Sequence, residues 1–293
     1  MTIKNPLLSY AFDNHVAHGA IVHIDEGVAD FFSHRSHSAD VARLMREAMA
    51  AMPLLATHLR FEGRINLQFQ GDRRMELLVS QIDHHLNVRT MAKGPADLSG
   101  GFTELLYGGI LALMLEPNAD NVPASQAIVL IEGESLSQAL EGYFTRSEQL
   151  PTLLRLAVRG DKLAGFMLQR MPLESANGNE ADWEHLLTLA STLGDDELLD
   201  TDGETILRRL FAEDPVRSFE PRSVEVICRC SRAGISRMLL SLGQQEVDEI
   251  LQEQGKVSVT CEFCGQEHVF TPHQAHELFK AADESGPDSE IRH

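Results

Sequence analysis

The chain has 293 residues, 43% of them hydrophobic and 24% charged, with a formal charge of −19. No apolar run approaches the roughly 18–20 residues that span a bilayer, and a charge of that sign repels a phosphate backbone, so neither a membrane-spanning nor a nucleic-acid-binding role is expected. The opening stretch carries Asp13, Asn14, His15 and His18 where a signal peptide needs an unbroken apolar core, which places the expected protein in the cytoplasm.

Residues 1–178 read as an α+β domain rich in strands. Gly19–Ile24 opens a strand from a glycine. Val41, Leu44, Met45, Ala48, Met52, Leu55 and Leu59 follow the i, i+3, i+4, i+7 spacing of a helix with one buried face, capped by Ser38 and expected to kink or divide at Pro53. Ile65, Leu67 and Phe69 alternate with polar residues as in a half-buried strand. Met75–Ile82, Leu86–Met91, Gly109–Leu115 and Ala127–Ile131 continue the sheet, and their spacing predicts a meander with mostly antiparallel pairing. Ser135 and Gln138 form a capping box for a helix whose Leu136, Ala139, Leu140, Tyr143 and Phe144 share a face. Leu153–Val158 and Ala164–Gln169 predict a hairpin around Gly160-Asp161.

The turn-rich run Ser175–Asn179 marks a boundary, and residues 179–227 read as an acidic helical linker. Between Glu180 and Ile227 thirteen acidic residues face four arginines, a formal −9. Such a stretch repels itself and is expected to pack less firmly than what precedes it. Narrow apolar stripes at Trp183, Leu186, Leu187, Ala190 and Leu193, and at Ile206, Leu207, Leu210 and Phe211, predict short helices. These are marginal unless packed against something else, so the segment is a candidate for an element with two states.

Residues 228–293 read as a small third part. Ile235, Met238, Leu239 and Leu242 fit a helix ended by Gly243, and Val247, Ile250 and Leu251 a second ended by Gly255. Val257–Val259 leads as a strand into Cys261, and His268–Phe270 returns as its partner. Thr271, Pro272 and Gln274 form a capping box with proline at the first helical position, and residues from Ala281 on read as a polar tail.

All four cysteines, Cys228, Cys230, Cys261 and Cys264, lie in this part, as Cys-Arg-Cys, thirty intervening residues, and Cys-Glu-Phe-Cys followed by Gly265. A reducing compartment argues against resting disulfides, and two close pairs supply the four tetrahedral thiolates that one zinc ion takes. His268, His273 and His276 read as surface groups or as neighbours outside a coordination sphere that four cysteines already close. A part of this size sits near the lower limit for a self-sufficient core, and structural zinc supplies roughly 10–16 kcal/mol of apparent folding energy. Oxidation of the thiolates therefore removes the metal and acts as an unfolding signal. A purely structural site remains open on spacing alone. So does a thiol-disulfide oxidoreductase, to which Arg229 and Arg232 lend support, and, behind it, a zinc ribbon that binds nucleic acid. No P-loop, no GxGxxG after a strand and no GxSxG occurs, and no enzymatic activity is expected.

The CxC, the thirty-residue spacer, the CxxC and the following glycine resemble the heat-shock protein 33 family of bacterial redox-regulated holdase chaperones. Tyr143–Thr152 is similar to that family's YFxRSEQLPT segment, and Leu67–Asp72 to its LQFQGD strand and turn, although Arg73-Arg74 stands where the family often has Gly-Pro. The resemblance implies a form that is inactive while reduced and zinc-bound. It implies oxidative pairing of Cys228 with Cys230 and of Cys261 with Cys264, zinc release, and destabilisation of the linker. It further implies a homodimer on activation that holds unfolding client proteins without ATP under oxidative and heat stress.

Overall fold

The computed structural model describes residues 3–57, 62–71, 74–95, 97–106, 108–119, 123–172 and 180–284. They divide into two compact units, Met1–Ile227 and Cys228–His293. The turn after Gln70 at Asp72-Arg73 and the boundary at Ser175–Asn179 lie outside the described residues.

In chain order the first unit contains β1 (Pro6–Phe12), β2 (Ala17–Ile24), α1 (Val28–Phe32), α2 (Ala39–Ala56), β3 (Gly63–Gln70), β4 (Leu77–Asp83), β5 (Asn87–Lys93) and α3 (Phe102–Leu106). There follow β6 (Ile110–Pro117), β7 (Ser125–Leu130), α4 (Leu136–Tyr143), a π-helical turn at Phe144–Glu148, β8 (Thr152–Arg159) and β9 (Lys162–Arg170). It ends with α5 (Glu180–Ser191), α6 (Asp195–Asp200), α7 (Gly203–Leu210), β10 (Val216–Ser218), β11 (Arg222–Ser223) and β12 (Glu225–Val226). Among the described residues no helix is long and apolar enough to cross a membrane.

The strands form two sheets rather than one meander. One has the order β10-β1-β2-β9-β8, with β11 also on β1; the other runs β12-β5-β4-β3-β6-β7. Every pairing is antiparallel except β12 on β5. Hairpin spacing placed β3–β4–β5 and β8–β9, while the β2–β9 and β3–β6 pairings join distant segments that no local pattern specifies.

Helix α2 buries one face, Val41, Leu44 and Met45, over its first two turns and is buried all round from Ala48 to Ala56. Ala48, Met49, Ala50, Ala51 and Met52 are fully inaccessible, because the helix meets β2, β8 and β9 of one sheet and β3, β4 and β5 of the other. A helix segment apolar on every side, as Ala48–Ala56 is, is what a position between two sheets requires. Ser38 caps it, its Oγ accepting from the Val41 N–H at 3.3 Å. Pro53 does not divide it: the helix runs on to Ala56, and a missing N–H this near the end forfeits little of the ladder.

Gly19 does not open β2 but sits inside it, opposite Tyr10 of β1. A Cβ there would run into the Tyr10 hydroxyl and the Met167 carbonyl oxygen. With no side chain in the way, Tyr10 crosses its neighbour strand and donates to the Met167 carbonyl of β9 at 2.9 Å. That bond satisfies a phenol that is otherwise wholly buried.

The outer face of the first sheet carries Tyr10, Phe12, Ile21, Phe166 and Leu168, and α5–α7 cover it with Trp183, Leu186, Leu198, Ile206, Leu207 and Phe211. Phe211 meets Phe12 edge-on at 4.9 Å. The Leu198 carbonyl lies 2.7 Å from His23 Nε2, and Arg155 donates to the Ser191 carbonyl at 2.6 Å. The acidic segment is thus tightly packed on its apolar side, contrary to the expectation from charge, with its carboxylates turned outward to partners such as Arg170–Glu180 and Arg209–Glu197. Three short helices depend on that apolar face, not on their own turns, for stability. The segment is also not helical throughout, since β10, β11 and β12 close it; strands of two or three residues show no alternation to read.

The second unit contains α8 (Arg232–Leu242), α9 (Gln244–Gln254), β13 (Val257–Thr260), β14 (Glu267–Phe270) and α10 (Pro272–Glu284). Helix α10 carries into the stretch expected as a polar tail. Its capping box is reciprocal: the Gln274 N–H donates to Thr271 Oγ1 at 3.3 Å, and the Thr271 N–H to Gln274 Oε1 at 3.2 Å. Gly243 (φ 99°) and Gly255 (φ 71°) end the two helices before β13. Among the described residues the core centres on buried Leu239, Val247, Leu251, Val257, Phe270 and Ala275, with Ile235, Ile250, Val259, Leu278 and Phe279 partly buried against it. So small a core needs a further staple.

Candidate metal centre

The four cysteines come from two places. Cys228 and Cys230 precede α8, whose N-cap Ser231 accepts from the Gly234 N–H at 3.0 Å. Cys261 and Cys264 occupy the turn that joins β13 to β14. The Gly265 N–H bonds the Cys261 carbonyl and the Cys261 N–H bonds the Gln266 carbonyl, each at 2.9 Å. Gly265 has φ 76°, the left-handed conformation that lets the chain fold back around the sulfurs.

All four Sγ atoms lie within 4.8 Å of one another, and they are the only such group of metal-ligating side chains among the described residues. Sulfur contacts run between the motifs, Cys228–Cys261 at 3.6 Å and Cys230–Cys264 at 3.4 Å. Metal–sulfur bonds of about 2.3 Å in a tetrahedron set the sulfurs about 3.8 Å apart, so the arrangement fits a tetrahedral thiophilic ion. All four cysteines are free of disulfides; Cys264 is buried and the others half-buried.

Burial pushes the Cys228 and Cys230 thiols up, aided by hydrogen bonds with neighbouring thiols. Burial also works on Cys261, but the N–H groups of Cys264 and Phe263 turned toward its sulfur outweigh it and bring that thiol down. A cation seated among the sulfurs overrides this order, because a coordinating thiol is deprotonated outright.

Among the described residues no histidine joins the four sulfurs in the metal-ligating group. His276 Nε2 lies 2.9 Å from Asp248 Oδ1 and His273 Nδ1 3.5 Å from Glu277, both exposed. Of the two roles expected for His268, burial excludes the surface one: it is 8% exposed, and its Nε2 has no hydrogen-bond partner among the described residues. Thiol exchange needs a cation beside a reactive sulfur. Arg232 is committed elsewhere, donating to the Val269 carbonyl and Gln274 Oε1 at 2.9 Å each and lying 4.1 Å over the Phe270 ring. Sequence reasoning missed Gln266, whose Oε1 lies 3.7 Å from Cys230 Sγ; a glutamine two residues after a motif carries no signal of its own.

Two mostly antiparallel sheets about a buried helix, with a small unit that gathers every cysteine of the chain, define an α+β protein with a four-cysteine metal-binding cluster. The sequence profile described as Hsp33 protein matches residues 5–271, and the chain belongs to that family. It is 38% identical over 281 residues to the 33 kDa chaperonin of Chromobacterium violaceum, covering 95% of each chain. It is 36% identical over 291 residues to that of Pseudomonas aeruginosa, covering 97% of each. The crystal structure of the 33 kDa chaperonin (heat shock protein 33 homolog) from Thermotoga maritima superposes with a TM-score of 0.79 at 20% identity, covering 96% of this chain and 99% of that one. The last likeness concerns the fold.

Proposed function

We propose that the chain is a redox-regulated, ATP-independent holdase chaperone of the cytoplasm, without enzymatic activity, whose switch is the four-cysteine cluster. The convergence of Cys228, Cys230, Cys261 and Cys264 in a unit with a small core, in a member of this family, carries the reading. Zinc, when bound by the four thiolates, supplies the folding energy that this core lacks.

Oxidation proceeds through the cysteines. A sulfur attacks peroxide, breaks its O–O bond and becomes a sulfenic acid as one water leaves; the second sulfur of the pair displaces hydroxide from it, which leaves as another water. Each peroxide thus takes two electrons from a cysteine pair and leaves one disulfide. The proposed products are Cys228–Cys230 and Cys261–Cys264. A disulfide holds its sulfurs about 2.05 Å apart, so pairing within the motifs goes with rearrangement of the cluster.

Cys228 follows β12 by one residue, so the chain itself connects the cluster to the segment 179–227. In this reading that segment is a linker which loosens when the cysteine unit melts. Tyr10, Phe12, Phe166 and Leu168 beneath it then meet exposed apolar segments of client proteins. The active form is proposed to be a homodimer, and the charge of −19 keeps its complexes dispersed.

Light scattering of a thermally unfolding client tests this. Peroxide-treated protein is expected to suppress aggregation while the reduced, zinc-loaded form does not. Equal suppression by both forms contradicts the switch.

A further inference from the structure

Away from the cysteines, β7 ends the second of the two large sheets, with β6 along one side of it among the described residues. The Ile131 N–H bonds the carbonyl of its cross-strand neighbour Gly109 at 2.9 Å, so Val129, Ala127 and Ser125, at every second position, also turn their backbone groups to β6. The N–H and C=O groups of Gln126, Ile128 and Leu130 then point out of the sheet. Arg146 donates to the Leu130 carbonyl at 3.3 Å and closes the edge at that end.

Ser125, Gln126, Ile128 and Leu130 are exposed, and Ile128 (56%) and Leu130 (63%) are the most exposed large hydrophobic residues among those described. Natural sheets blunt such an edge with charge, proline or a bulge. The other strands that end the two large sheets each carry charge: Arg155 and Arg159 on β8, Arg217 on β10, and Glu225 on β12. Ser125–Ile131 has neither a charged residue nor a proline, in a chain of which 24% is charged. Uncharged β-forming segments of this kind pair readily with another strand.

A second copy of the chain also carries −19, and that like charge opposes edge-to-edge pairing of copies. An unfolding protein offers extended apolar segments without that opposition. The register sets Ile128 opposite Ala112 and Leu130 opposite Ile110, so an added strand finds apolar neighbours on that face. We propose that β7 takes up an extended, uncharged segment of an unfolding protein as a seventh strand, bonded to the backbone of Gln126 and Ile128 and packed on Ile128 and Leu130. The inference rests on the holdase reading and adds a contact to it. So short a pairing is weak alone, and it gains effective concentration when the same client also lies on the sheet face that oxidation uncovers.

Residue-resolved amide exchange of the reduced, metal-loaded full chain tests this, with a blocked heptapeptide of alternating threonine and valine at millimolar concentration. The peptide is expected to slow exchange at Gln126 and Ile128 about twofold when half the edges are filled. Ala127 and Val129, already bonded to β6, should be unchanged, and N-methylation of alternate peptide amides should abolish the effect. Ile128→Pro removes an outward N–H, which an edge strand tolerates, and Ile128→Lys puts a charge on the edge. After oxidation each variant should need about fivefold more protein to halve the aggregation of a client, as loss of about one net hydrogen bond does, with zinc release and melting curves unaltered. No slowing at Gln126 and Ile128, equal slowing at Ala127 and Val129, or slowing by the N-methylated peptide would overturn the proposal. Slowing that grows with protein concentration in the absence of peptide would give the edge to a second copy and overturn it too, as would client holding unaltered in both variants. An oxidised parent chain that holds no client contradicts the holdase reading instead, because the exchange pattern is measured without oxidant or client and judges the edge separately.

Discussion

Replacing Cys264 by serine is expected to unfold residues 228–284 and leave the two-sheet unit folded. Cys264 is the buried member of the cluster, and its sulfur lies 3.4 Å from that of Cys230. A structural zinc site contributes roughly 10–16 kcal/mol of apparent folding energy, whereas so small a core supplies only a few. Once one ligand is lost, the remaining packing does not offset chain entropy. Hydrogen exchange should show α8, α9 and α10 losing protection while β2 and β9 keep theirs, with bound zinc falling in the same sample. A variant without metal whose α8–α10 amides stay protected would contradict the metal's proposed role in folding.

The second large effect is expected from Phe211→Ala. Phe211 is 2% exposed and packs on Phe12 at 4.9 Å and on Tyr10 at 6.3 Å. Deleting a buried phenylalanine ring costs about 3–5 kcal/mol. Here the loss falls on a cover of short helices held mainly by its apolar contacts with the sheet. The cover should therefore lift before the sheets melt, giving a red shift of Trp183 emission and client holding without oxidant. Trp183 is 5% exposed and the only tryptophan, so the signal is unambiguous. Phe69→Ala is the control: this fully buried residue of β3 lies in the other sheet, and a comparable loss there should lower the melting temperature without freeing Trp183. Identical emission from both variants would contradict a separable cover.

Features fixed by local chemistry were legible in the sequence. The β8–β9 hairpin follows from alternation around Gly160-Asp161, and Ser38 and Thr271 cap helices through the hydrogen bonds their positions imply. At Ser135 the cap also forms, but the Gln138 side chain reaches one residue further, to the Glu134 N–H at 2.7 Å. The four cysteines were legible because few other arrangements place two close thiol pairs in so short a span. What depends on distant pairing was not legible. The strand β12 adds two residues to β5 from far along the chain, and two residues carry no period. The two-sided burial of α2 was hidden because alanine on a helix reads as neutral until a second sheet is placed against it. Charge also misled: the acidic excess of residues 180–227 describes their outer surface, while the packing is set by Trp183, Leu186, Leu207 and Phe211 beneath it.

The central claim joins the state of four sulfurs to the hold of α5–α7 on the first sheet. It is tested most directly by following zinc release, with a chromogenic chelator, together with Trp183 fluorescence during peroxide treatment of one sample. The account predicts that the emission shifts as zinc leaves and returns when reductant and zinc are restored. Complete zinc release with Trp183 emission unchanged would contradict it.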